Sequence, residues 1–309
     1  MHNFQKSFIR RFVLTIFPLA FCVLAACLSQ PSTMAQQKDG KNAPAITAAP
    51  PALKRTTSRH EVRRFNYGSS LTIVGAPAGS ITIEAWPRSE VDITADIELL
   101  ANTEEELALL ATINSFTIDD DANHLRILST GTHDKAFMRR VAKKFPKALL
   151  NLPWKIDYHI RVPAVCDLEI DAGRGGFNLS GVEGSISLKA LESDATLVLT
   201  GGAVMATVGA GSVKVNLATR SWRGAGAVIQ LARGDLTIEL PANFNAEINA
   251  DVLRSGQIEN SYTELAPQER TTFTTRSIKG RAGAGGATLS FTVTDGTLRL
   301  QKAATGDEH

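Results

Sequence analysis

A glycine-punctuated repeat between Cys166 and Pro241 constrains this chain more than anything else in it. In register it reads Gly184-Ser-Ile-Ser-Leu188, Gly211-Ser-Val-Lys-Val215 and Gly234-Asp-Leu-Thr-Ile238, with looser copies at Gly176-Phe-Asn-Leu179, Asp194-Ala-Thr-Leu-Val-Leu199 and Gly226-Ala-Val-Ile-Gln-Leu231. A turn glycine and a small polar residue are followed by apolar and polar residues in alternation. Side chains in a strand point to opposite faces with period two. Ile186 and Leu188, Leu197 and Leu199, Val213 and Val215, and Leu236 and Ile238 therefore share the buried faces of short strands. Ser185, Ser187, Thr196, Lys214, Asn216, Thr237 and Glu239 face outward. Unit starts about eight to ten residues apart match an all-β architecture with a turn after every strand.

The turns select among such architectures. Two-residue antiparallel hairpins favour Asn-Gly or Asp-Gly, but here the strands end in Gly173-Arg-Gly-Gly176, Gly181-Val-Glu-Gly184, Gly201-Gly202 and Gly209-Ala-Gly211. Serial glycine lets the chain bend at a corner and pack backbone against the next layer. The pattern predicts an all-β fold, a β-solenoid (parallel β-helix-like) of short stacked strands, in preference to a sandwich.

Upstream of the repeats, strands are predicted at Glu61 to Asn66, Ser70 to Val74, Gly79 to Trp86, Glu90 to Glu98, Ser115 to Ile118, His124 to Leu128 and Tyr158 to Pro163. Downstream they are predicted at Phe244 to Ala250, Gly256 to Glu259, Thr271 to Thr275, Gly286 to Val293 and Gly296 to Leu300. Two helices interrupt them. Thr103-Glu-Glu-Glu106 is a capping box ahead of Leu107, Leu109, Leu110 and Ile113, giving a short helix near 103–113. A basic helical insert is predicted near 134–146, with Phe137, Met138, Val141 and Phe145 on one stripe and Lys135, Arg139, Arg140, Lys143, Lys144 and Lys147 supplying charge. Those cations either contact an anionic surface such as lipid headgroups or acidic glycan, or stay in water while the stripe caps the β core.

The first residues look like an export signal. Lys6, Arg10 and Arg11 precede an apolar run from Phe12 to Ala26, short for a bilayer span. Leu24-Ala25-Ala26-Cys27 matches a lipobox, which would make residues 1–26 a lipoprotein signal peptide and Cys27 the acylated first residue. Cleavage after Ala35 is the alternative. Residues 27–59, rich in Ala, Pro, Ser and Gln, are expected as a disordered tether. An all-β domain follows over 60–302, with strands and helical inserts in 60–165 and repeats in 166–302, and 303–309 form a disordered tail.

Little in the sequence points to reactive chemistry. Outward residues of the repeats do not gather carboxylates and bases into a site, and the histidines lack metal-ligand spacing. Asp119 to Asn123 lacks the glycine and glutamate of a calcium loop and reads as a hairpin turn. Arg233-Gly-Asp235 spells an adhesion tripeptide, but its Gly and Asp fill the repeat's own turn. Cys166 reads as a core residue. With 33 Lys and Arg against 31 Asp and Glu, the net charge of +2 disfavours a nucleic-acid binder. No catalytic residue, cofactor or metal is expected.

Gly79-Ser-Ile-Thr-Ile-Glu-Ala-Trp86, Val91-Asp-Ile-Thr-Ala95, the Tyr158 to Pro163 strand and the serial glycine units together resemble the bacterial DUF4097 family of adhesin-like proteins, which is similar to the autotransporter head-domain adhesins. The resemblance covers residues 60 to 302. It implies an exported cell-envelope β-solenoid-like domain with no established catalytic residues. With the lipobox at Cys27, the expected address is the membrane, through the N-terminal lipid and facing the periplasm or the cell surface, with an unknown envelope protein or glycan as partner. Adhesion or scaffolding is the expected role. A regulatory component docking a membrane partner and a polysaccharide-active β-helix enzyme are the alternatives, and a soluble periplasmic or secreted protein is the alternative location.

Overall fold

Every apolar residue that the repeat assigns to the inner face is buried: Ile186, Leu188, Leu197, Leu199, Val213, Val215, Leu236 and Ile238 are each at most 2% exposed. The computed structural model describes residues 53–121, 123–141 and 145–303, all within the second of the chain's two units, Ala49–His309. That unit is mostly β, built on a curled open sheet of 17 strands.

The chain runs through β1 (Leu53–Arg64), β2 (Ser70–Val74), β3 (Ile81–Trp86) and β4 (Glu90–Ala101), then α1 (Glu104–Ala111). The hairpin β5 (Ser115–Asp121) and β6 (His124–Thr130), α2 (Lys135–Val141) and a 3-10 turn, Lys147–Asn151, lead to β7 (Trp154–Pro163). Next come β8 (Asp167–Asp171), β9 (Phe177–Ser180), β10 (Ser185–Glu192) and β11 (Ala195–Leu199). The last strands are β12 (Gly201–Leu217), β13 (Arg223–Leu240), β14 (Ala246–Asn260), β15 (Leu265–Pro267), β16 (Ser277–Ala282) and β17 (Thr288–Lys302).

Parallel pairing dominates the repeats. One limb of the sheet runs β6, β2, β8, β10, the first half of β12, the first half of β13, β17 and β14. The other runs β7, β3, β9, β11 and the second halves of β12, β13, β17 and β14. Register brings aliphatic residues together on the inside: Ile93, Ile160, Ile83, Leu179, Leu197, Val215, Ile238 and Leu300 form a continuous column. Both limbs contribute to one core, and each such side chain withdrawn from water contributes about 1.5–3 kcal/mol.

Four features differ from the sequence expectation. The strands are not all short, because β12 and β13, of 17 and 18 residues, run unbroken from one limb to the other. Gly211, Gly234, Gly296 and Gly256 stack at that bend with positive φ, each against its neighbour's backbone, so the corner bends the ladder without interrupting it. Antiparallel pairs flank the stack, at β1–β4, β4–β7, β5–β6, β14–β16 and β15–β16. The first strand starts at Leu53, inside the expected tether, and pairs along its whole length with β4. Finally, 271–275 form no strand; Thr271 and Thr274 hydroxyls bond to neighbouring backbone there, and the pairing falls to β16.

Helix α1 is slightly shorter than predicted, and α2 is described as far as Val141, with residues 142–144 of the predicted basic helix outside the described residues. At α1 the Thr103 hydroxyl accepts the Glu106 N–H at 3.2 Å, and the Glu106 carboxylate accepts the Asn102 N–H at 2.9 Å. Leu107 and Leu110 are buried, whereas Leu109, expected with them, is 43% exposed. Asp134 caps α2 by accepting the Ala136 and Phe137 N–H groups at 2.8 and 3.0 Å.

Candidate binding surface

Opposite the inner column lies an outer one. Across the strands, His60, Thr94, His159, Thr82, Asn178, Thr196, Lys214, Thr237, Arg299 and Glu259 stand in register on one face of the sheet. None is buried. Its charges neutralise each other locally: Lys214 pairs with Glu239 at 2.9 Å, and Arg299 with Asp235 and Glu259 at 3.0 and 2.9 Å. Glu239, expected to point freely outward, is 9% exposed and also accepts from Gln301 at 3.2 Å. Asp235 of the Arg-Gly-Asp sequence is likewise engaged by Arg299.

At the β3–β4 end of this face a denser cluster forms. Asp92, 7% exposed, accepts from Arg161 at 2.6 Å through Oδ2 and lies 3.0 Å from His60 Nε2 through Oδ1. Burial works to raise its pKa, but the hydrogen bonds from Arg161 and His60 outweigh it and hold the carboxyl below its ordinary value. A carboxylate so engaged is an anchor and a poor base. The Arg161 guanidinium carbon lies 4.6 Å from the Trp86 ring centroid and that of Arg88 5.1 Å from it. Trp86 is fixed in turn by donating its indole N–H to the Glu90 carbonyl at 2.7 Å. Beside them a concavity of about 730 Å³ opens between the β1–β2 and β3–β4 turns.

The predicted surface-contact residues separate into two groups. Lys135, Arg139, Arg140 and Lys147 are exposed on α2 and the 3-10 turn, while Lys143 and Lys144 lie outside the described residues. Phe137 and Met138 are half-buried, and Phe145 packs against the core. A second concavity, of about 570 Å³, is lined by Lys135, Met138, Arg139 and Leu150. Cys27, with the signal and its cleavage positions, also lies outside the described residues.

Cys166 is 5% exposed, and burial, with the Asp167 carboxylate, pushes its thiol up to about 12. Among the described residues there is no group of three metal-ligating side chains, and no helix is long and apolar enough to cross a membrane. Sequence reading missed the Asp92 cluster because its members come from β1, β3, β4 and β7. The legible signal was Asp92 itself, a carboxylate between the apolar residues Val91 and Ile93.

No family model matches the chain, and no curated protein matches it. Among solved structures, the chain is similar to a putative cell adhesion protein from Clostridium sporogenes at 12% identity, covering 80% of this chain and 100% of that one, with a TM-score of 0.42. A putative adhesin from Bacteroides fragilis aligns at 11% identity over 82% and 99% of the two chains, TM-score 0.29. A putative lipid binding protein from Parabacteroides distasonis aligns at 12% identity over 81% and 97%, TM-score 0.19.

Proposed function

We propose that this chain is a non-enzymatic, exported cell-envelope protein of the DUF4097 kind, anchored through lipid on Cys27, whose parallel ladder works as a β-solenoid presenting a face for adhesion or scaffolding. The observation that carries the reading is the outer column from His60 to Glu259. Its hydroxyl, amide and charged groups recur in register from strand to strand, and from Thr82 to Arg299 each stands next in sequence to a buried aliphatic residue. A rigid polar strip of this kind suits an extended partner, because its groups are already ordered before binding. The ionisable groups on it are matched with one another, which suits recognition better than proton transfer.

The test has two parts. Intact-mass analysis of the mature protein from membranes is expected to give an acylated start at Cys27; a free start at Gln36 would remove the anchor. Purified mature protein is expected to bind envelope fragments, and Thr82→Glu with Thr196→Glu and Thr237→Glu to weaken that binding without changing the unfolding midpoint. Full retention by the triple variant excludes this face.

A further inference from the structure

We infer that the concavity between the β1–β2 and β3–β4 turns binds an acidic sugar residue of an envelope glycan, a uronate-type ring carrying one carboxylate. The inference names a ligand class for the binding protein proposed above and rests on that reading.

Four observations converge there. Tyr67 lines the concavity and is 96% exposed. A phenol ring left standing in water has an apolar face with nothing against it, and such a face is what the C–H side of a pyranose covers. Arg64 and Arg88 line the same space and are exposed. Among the described residues neither has a carboxylate partner, although most arginines on the adjacent strands do. A guanidinium offers two parallel N–H donors spaced for a carboxylate.

The frame is rigid. The Phe65 N–H donates to the Ser89 carbonyl at 3.1 Å, tying one turn to the other. Trp86 is fixed by the Glu90 carbonyl and holds the Arg88 guanidinium over its ring. The Arg88 cation is therefore placed before any ligand arrives, which lowers the entropy lost on binding.

Charge narrows the ligand further. Glu90 lines the concavity with the two arginines, so the positive excess is small. That suits a ring with a single negative charge and spare hydroxyls for Glu90 to accept from. A densely sulfated chain or a phospholipid surface would place further anions against Glu90.

The experiment titrates the mature full chain with tetragalacturonate by calorimetry, in parallel with uncharged maltotetraose, dextran sulfate and phosphatidylglycerol vesicles. Tetragalacturonate is expected to bind and maltotetraose to give no detectable heat. Tyr67→Ala and the pair Arg64→Gln with Arg88→Gln should each weaken uronate binding by about tenfold or more. All three side chains are exposed, so these variants keep the fold. Arg139→Gln with Arg140→Gln, on α2, should leave the affinity unchanged. Absence of tetragalacturonate binding overturns the site, as does equal binding by the Tyr67 variant. Dextran sulfate or vesicles binding more tightly than the uronate would assign the arginines to general anion attraction and overturn it too. Envelope binding that survives while uronate binding fails sinks this site alone; loss of both sinks the adhesive reading with it.

Discussion

The α-carbon of Gly296 packs so closely on the carbonyl oxygen of Gly234 that a methyl group added there would overlap it. Gly296 also has φ of 143°, so a side chain meets both a clash and a strained backbone. Because the obstacle is main chain, it cannot rotate away. Gly296→Ala should destabilise the unit by about 3 kcal/mol or more. Gly68, with φ of 77° and nothing within 4 Å of the place a Cβ would take, supplies the comparison; its alanine variant should cost only about 1 kcal/mol. Urea unfolding of the two variants measures both, and equal costs would mean that corner stacking does not hold the ladder.

The Asp92 anchor makes a pH prediction. Its carboxyl is held below its ordinary pKa in the folded state, so its contribution is present above the unfolded-state value of about 3.9 and is lost as pH falls through the lower folded value. Asp92→Asn should destabilise the protein by roughly 1–2 kcal/mol at pH 7. The gap from wild type should be constant above about pH 5 and close on acidification below pH 4. A gap independent of pH would show that the loss comes from packing and not from the charge.

How far the fold could be read depended on whether a residue's fate is local. Alternation around Ile186, Val213 and Leu236 set strand and face correctly, because burial of one face needs only the neighbouring side chains. The first part of β1, ahead of the strand predicted from Glu61, escaped for the opposite reason: no residue of Leu53–Arg64 is buried, and backbone pairing with β4 holds it, so its sequence carries no apolar rhythm. The merging of 202–208 with 211–217 into β12 was hidden because a glycine that ends a strand and a glycine that bends one look alike. Partners of Asp92 lie 32 and 69 residues away, beyond any local spacing rule.

Cys166 should be unreactive while the protein is folded. With its thiol buried and pushed up to about 12, almost no thiolate exists at pH 8. Iodoacetamide at that pH, followed by peptide mass, should leave residue 166 unmodified in buffer and fully modified in denaturing urea. Rapid native labelling would mean that the core around Leu168 opens far more often than its burial implies.

The basic insert separates packing from charge. Phe145 packs against the core, and Trp154, just beyond the 3-10 turn in the chain, donates to Thr132 at 3.0 Å and lies tilted against His133 at 5.2 Å between centroids. The cations at Arg139 and Arg140 stand in water without ion pairs among the described residues. Phe145→Ala should therefore destabilise the unit by about 1–3 kcal/mol, whereas Arg139→Gln with Arg140→Gln should leave the unfolding midpoint where it is. Pelleting with anionic vesicles tests the charges independently of the fold. If α2 serves to cover the edge of the sheet, the arginine pair can be removed with no change in the pelleted fraction. A drop in that fraction at unchanged stability would instead make α2 a contact for an anionic surface.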